Sequence, residues 1–142
     1  MPGVAGAPAG FEILEHTADV GIRSWGRSLA EAFEQAGLAL TEILGVRTDG
    51  PGERRELRAS AGDVGALLVD FLNELVFLHE TEGLGFASVR VVEASDTDLR
   101  AHVEVVPLRG EPEGPPVKGA TFHRLRVDRS DGRVEARVYL DV

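Results

Sequence analysis

Eight residues in three short stretches of this sequence are the candidates for metal binding or acid–base chemistry. In chain order they are His16, Thr17, Asp19, Lys118, Thr121, His123, Asp141 and Val142. Carboxylate oxygens are the donors that Ca²⁺ and Mg²⁺ prefer, whereas imidazole and ammonium groups serve as acids, bases or ligands for anions. The available chemistry therefore depends on which stretches the fold brings together.

The end of the chain concentrates negative charge, because the Asp141 side chain is followed by the carboxylate of Val142. If the last strand is internal and ends beside Asp19, three hard oxygen donors meet with no arginine adjacent in sequence to neutralise them. Such a set suits Ca²⁺ or Mg²⁺, with waters completing the coordination shell. The alternative is that the final Asp-Val pair frays in solvent, as many chain ends do.

The polar stretch HTAD, residues 16–19, directly precedes the strand-like run VGIRSWG. His16 and Asp19 could form half of an acid–base site. A polar corner before a strand also often satisfies its own backbone through Asx-type and hydroxyl hydrogen bonds. Spacing alone leaves both explanations open.

Lys118, Thr121 and His123 are predicted to project from one face of a strand, where they could line a site for an anion or lie near a metal ion. A solvated sheet face is the alternative. Lys118 is also the only lysine, since the other fourteen basic residues are arginines. Its compact, strongly hydrated ammonium group is not equivalent to a guanidinium group.

Composition narrows the classes of function. The formal net charge is −9 and no Lys/Arg run is present, so we expect a basic protein partner and no stable binding of free nucleic acid. The absence of cysteine removes disulfides, thiolate zinc sites and cysteine nucleophiles, and it favours a cytoplasmic location. No signal peptide or membrane-length apolar stretch is expected. Phosphate-binding loops, nucleophile elbows and the H-E-x-x-H motif are missing from the sequence.

Hydrophobic periodicity predicts a flexible tail over residues 1–10 and a single α+β domain over residues 11–142. The predicted order is two short extended pieces, a helix from about Ser28 to Leu44, an edge strand, a second helix from Val64, and four period-2 strands. Because its apolar stripe is wide, the second helix is expected to be the better buried. The expected architecture is two helices packed on a mostly antiparallel or mixed β-sheet.

Four motifs follow one another along the chain: HTADVGIRSWGRSLAEAFEQAGLAL, LLVDFLNELVFLHETEGLGF, VKGATFHRLRV and the terminal LDV. Together they resemble the archease family over nearly the whole chain, from about Phe11 to Val142. The resemblance implies an archease-like fold and an accessory protein of the RtcB-type tRNA-splicing RNA ligase. Such a protein promotes guanylylation and repeated turnover of the ligase and has no ligation chemistry of its own.

The resemblance also implies a divalent metal ion, usually calcium, bound through Asp19, Asp141 and the carboxylate of Val142. His16 and Thr17 would then fix the corner that carries Asp19, and Lys118, Thr121 and His123 would support the site or the activation of the ligase. Two other functions stay open. One is a metal-dependent hydrolase that uses Asp19, Asp141 and His123. The other is a general chaperone-like module for nucleic-acid-processing proteins.

Overall fold

The computed structural model describes residues 8–15, 19–46 and 50–142. Two of the candidate residues, His16 and Thr17, lie outside the described residues. Within the described ranges, no helix is both long enough and apolar enough to cross a membrane. The first strand begins at Gly10, so the last residue of the predicted tail already belongs to a sheet.

The described ranges contain seven strands and two helices, and their order matches the order predicted from the sequence. In chain order they are β1 (Gly10–Glu15), β2 (Asp19–Gly26), α1 (Leu29–Leu44), β3 (Glu53–Ser60), α2 (Val64–Glu82), β4 (Leu84–Ala94), β5 (Asp98–Pro107), β6 (Gly119–Ser130) and β7 (Arg133–Asp141). The α+β class with two helices is therefore confirmed.

The strands divide between two antiparallel sheets. Sheet A has the order β1-β2-β7-β6, and sheet B has the order β3-β5-β4. The strands β5 and β6 follow each other in sequence but lie in different sheets, because residues 108–118 carry the chain from one sheet to the other. This connection contains Pro112, Pro115 and Pro116, and proline cannot donate a hydrogen bond to a neighbouring strand. The charged strand β3 lies at an edge, as its sequence predicts.

Both helices begin at a residue whose side chain caps the first turn. The Ser28 hydroxyl accepts a hydrogen bond from the N–H of Glu31 at 3.1 Å, and the Asp63 carboxylate accepts from the N–H of Ala66 at 2.8 Å. The Glu31 carboxylate reaches back to the N–H of Arg27 at 2.8 Å, one residue before the cap itself. Hydrogen bonds from the Arg27 side chain and backbone hold the pKa of Glu31 below its usual value.

Each helix contacts strands of both sheets, so the helices lie between the sheets and share one core. Helix α1 packs on β1, β2 and β7 of sheet A and on β4 of sheet B, whereas α2 packs on β6 and on all three strands of sheet B. The expectation that α2 is the better buried is wrong. Eight of the sixteen residues of α1 are buried, compared with seven of the nineteen in α2. A helix covered on two sides buries more than one stripe.

The connection between the sheets is held against the C-terminal end of α1. The N–H of Glu113 donates to the carbonyl of Gly45 at 2.9 Å, and the N–H of Gly114 donates to the carbonyl of Leu44 at 3.3 Å. A Cβ added at Gly114 would collide with the carbonyl oxygen of Ile43. These contacts, together with burial of Val117, fix the point at which β6 enters sheet A.

We predict that Gly114→Ala lowers the free energy of unfolding by about 1–3 kcal/mol, because the last turn of α1 must move away from the new methyl group. Urea unfolding followed by circular dichroism measures the change. Gly62→Ala is the control, since no heavy atom lies within 4 Å of a Cβ added there and its effect should stay within about 0.5 kcal/mol. Equal stabilities of the two variants would contradict the docking of this connection.

Candidate metal centre and the adjoining groove

Asp19 and Asp141 lie directly opposite each other in sheet A, at the ends of β2 and β7. Side chains of opposite residues in an antiparallel pair project from the same face, with Cβ atoms about 4.5–5.5 Å apart. Leu140, the preceding residue of β7, points to the other face and is fully buried in the core. The fold therefore brings together two carboxylates that are 122 positions apart in sequence.

The end of the chain is part of the folded structure. The strand β7 runs to Asp141, and the side chain of Val142 is partly buried against the hydrophobic core. This packing argues against fraying of the final two residues, the alternative considered from the sequence. The packing of Val142 holds its carboxylate one residue beyond Asp141, at the same end of β7 as Asp19.

The donor chemistry of this strand end fits a hard divalent cation. Across residues 8–15, 19–46 and 50–142, no three His, Asp or Glu side chains are grouped closely enough to hold a metal ion. Two aspartates in register and a main-chain carboxylate form a different kind of set, in which the third donor is not a side chain. Opposed carboxylates repel each other unless a cation lies between them, and oxygen donors of this type suit Ca²⁺ or Mg²⁺.

Lys118 and Gly119 adjoin the same strand end from the other side. Gly119 is opposite Asp141 in the pairing of β6 with β7, and the N–H of Lys118 donates to the carbonyl of Asp141 at 2.7 Å. Lys118 immediately precedes β6, which corrects the expectation that it lies within the strand and alternates with Thr121 and His123. Its main chain thus fixes the backbone of Asp141.

Thr121 and His123 both contact β7 at Tyr139, two residues before Asp141. The hydroxyl of Thr121 donates to the carbonyl of Tyr139 at 3.1 Å, and the His123 ring meets the Tyr139 ring edge-on with centroids 6.4 Å apart. Gly21 lies opposite Tyr139, and a Cβ added there would come within 2.8 Å of the tyrosine ring. A glycine inside a strand often marks a close approach of this kind.

A groove that includes Asp141 was not predicted from the sequence. Its lining residues come from α2, from the start of β6 and the residue before it, and from the end of β7 at Asp141. The lining residues are Asn73, Val76, Phe77, Glu80, Lys118, Gly119, Ala120, Thr121 and Asp141. The Phe77 side chain is 59% exposed, which is unusual for a large apolar group and marks a surface suited to binding.

Asn73 joins α2 to the outer edge of β6. Its side-chain oxygen accepts from the N–H of Ala120 at 2.7 Å, and its side-chain nitrogen donates to the carbonyl of Ala120 at 3.5 Å. One amide group thus satisfies two backbone groups that an edge strand leaves unpaired. The sequence does contain a signal for this role. Asn73 is the only asparagine of the chain, and it lies between Leu72 and Leu75 in a largely apolar helix.

The sequence matches a known protein family over nearly its whole length. A sequence model described as the Archease protein family matches residues 11–142, which include both aspartates and all of sheet A except Gly10. The chain belongs to the archease family. The resemblance inferred from the sequence motifs is thereby confirmed.

Curated archeases match over nearly their whole length. A protein archease from Thermococcus gammatolerans is 38% identical over 139 residues, covering 93% of this chain and 98% of the relative. A protein archease from Methanothermobacter thermautotrophicus is 34% identical over 142 residues, covering 94% and 99% of the two chains.

Two solved structures share the archease fold. The solution structure of a Methanobacterium thermoautotrophicum protein has 33% sequence identity and a TM-score of 0.65, and the match covers 94% of this chain and 99% of that chain. The crystal structure of an archease from Thermotoga maritima, described as a possible chaperone, has 24% identity and a TM-score of 0.68 and covers 92% and 96%. The second likeness supports the fold alone.

We predict that Asn73→Ala lowers the free energy of unfolding by about 1–3 kcal/mol, because it leaves the N–H and carbonyl of Ala120 without a protein partner. Chemical denaturation measures this loss, and hydrogen exchange should show faster exchange at Ala120. Glu74→Ala, an exposed change on the same helix, is the control. A loss no larger than that of the control would show that the amide does not hold β6.

Proposed function

We propose that this protein is a metal-dependent activator of an RtcB-type tRNA-splicing RNA ligase and acts in the cytoplasm. In this function it promotes guanylylation of the ligase and repeated turnover in tRNA splicing and RNA repair, without ligation chemistry of its own. Membership of the archease family gives the class of protein. The observation that carries the proposal for this chain is the direct pairing of Asp19 with Asp141 beside the carboxylate of Val142.

The proposed metal ligands are Asp19, Asp141 and the carboxylate of Val142. Pairing with β2 holds Asp19, while the hydrogen bond from Lys118 and the packing of Val142 hold the end of β7. A divalent cation bound there supplies positive charge that offsets the repulsion between the carboxylates. His16 and Thr17 are proposed to orient the corner that leads to Asp19.

The proposed ligase-binding surface is the groove together with this strand end. Phe77 offers exposed apolar area, while Glu80 and Asp141 add negative charge. The formal net charge of −9 favours a basic partner and increases the rate of encounter with it. Lys118 is proposed to contribute the only lysine ammonium group of the chain to this surface.

The proposal predicts that purified protein raises the yield of joined RNA above one product per ligase molecule. Asp141→Asn should reduce this effect strongly, whereas Asp131→Asn should leave it unchanged. The control removes the same charge from the turn at the other end of β7, where asparagine is well tolerated. Multiple-turnover assays with the ligase of the same organism measure both. An unchanged yield with the parent protein would overturn the proposed function.

Metal binding is tested separately on the isolated protein. At about ten times its dissociation constant, Ca²⁺ should stabilise the fold by roughly 1.4 kcal/mol and raise the melting temperature by roughly 3–6 °C. Asp141→Asn and a Gly-Ser tail after Val142 should each reduce this shift, and the tail changes neither aspartate. A tailed protein that binds Ca²⁺ and activates the ligase normally would exclude the Val142 carboxylate as a ligand.

A general chaperone-like role is distinguished by the range of partners. The ligase should dominate the proteins that co-purify from a native lysate if the proposed function is correct. A broad set of unrelated nucleic-acid-processing proteins, recovered equally with Asp141→Asn, would favour the chaperone-like function instead.

A further inference from the structure

Three arginines lie side by side across the face of sheet A that points away from the helices. Arg23 on β2 is opposite Arg137 on β7, and Arg137 is opposite Arg126 on β6. We call these three residues the arginine row. Like charges placed directly opposite in a sheet are destabilising, so the row costs stability unless anions neutralise it.

The two outer arginines have carboxylate partners and the central one does not. Arg23 donates two hydrogen bonds to Glu135, at 3.0 and 3.1 Å, and Arg126 lies 3.1 Å from Asp128. Within the described part of the chain, the half-buried Arg137 side chain makes no ion pair or hydrogen bond. Of the three guanidinium groups in the row, that of Arg137 can therefore direct all of its N–H donors to an external anion.

The surroundings of Arg137 are concave and held in place. A depression in this face is lined by Arg126, Asp128, Glu135 and Arg137. On the β2 side, the guanidinium groups of Arg23 and Arg133 lie 4.8 and 5.7 Å from the centre of the Trp25 ring, and Trp25 is fully buried. Stacking on a fixed ring limits the freedom of these side chains, which lowers the entropic cost of binding.

We propose that the arginine row is a phosphate-binding site with Arg137 as its central ligand. Guanidinium groups bind phosphate through paired, charge-assisted hydrogen bonds, and a phosphate dianion would relieve the repulsion within the row. Arg137 and Asp141 share a face of β7 and lie about 13 Å apart along the strand. The row is thus separate from the proposed metal centre, and the proposal does not depend on that centre.

Phosphate could come from single-stranded RNA or from a free nucleoside triphosphate. The net charge of −9 predicts no stable binding of free nucleic acid, and a local site changes this expectation to weak, salt-sensitive binding. Fluorescence anisotropy with a labelled ten-nucleotide RNA and with a fluorescent GTP analogue, both at low salt, distinguishes the two sources. A labelled oligoglutamate peptide tests whether an acidic protein segment is the true ligand.

Arg137→Gln should weaken binding of the phosphate probe about tenfold, as expected for loss of a charge-assisted contact. Arg90→Gln is the matched control, because Arg90 is an exposed arginine of β4 that also makes no ion pair within the described residues, and its loss should change affinity less than twofold. Without ligand, Arg137→Gln should melt no lower than the parent, since it relieves repulsion.

The proposal is overturned if neither phosphate probe binds, if the two variants weaken binding equally, or if the oligoglutamate peptide binds more tightly than both. It is also overturned if Arg137→Gln melts well below the parent protein, since that result assigns Arg137 a structural role. Arg126→Gln gives a second check and should weaken binding by a smaller factor, because Arg126 is already shared with Asp128.

Discussion

The register of β7 between β2 and β6 is the constraint on which the rest of the structure depends. It places Asp141 opposite Asp19 on one side and Gly119 on the other, and it lines up Arg137 with Arg23 and Arg126. A shift of one residue would turn Leu140 to solvent and the carboxylates into the core, so burial of the apolar face selects this register strongly. The positions of both candidate sites therefore follow from packing of the hydrophobic core.

The helices stabilise this arrangement at the edges of the sheets as well as in the core. Asn73 on α2 bonds both backbone groups of Ala120 on β6, and Glu34 on α1 accepts a hydrogen bond from the N–H of Val91 on β4 at 2.9 Å. An exposed edge strand is open to pairing with other chains, and a side chain that occupies its polar groups reduces this risk. The same contact between α2 and β6 forms one wall of the groove beside Asp141.

Much of the fold could be predicted from the sequence because its signals are local. The starts of the two helices, near Ser28 and at Val64, depend on a few neighbouring residues and were predicted correctly. The division into two sheets and the role of Asn73 depend on contacts between distant segments, for which periodicity gives no signal. The sequence predicted that Asp19 and Asp141 meet only if the last strand is internal and ends beside Asp19. The roles assigned to these residues and to Lys118 stay predictions.

The central claim is that Asp19, Asp141 and the end of the chain bind one divalent cation. Titration of the ¹⁵N-labelled protein with trace Mn²⁺, followed by competition with Ca²⁺, tests it most directly, because amide signals near the paramagnetic ion broaden. The account predicts broadening centred on Asp19, Gly119, Asp141 and Val142 that Ca²⁺ reverses. Broadening centred on the amides of Glu53 and Glu56 in β3, or no localised broadening at all, would contradict it.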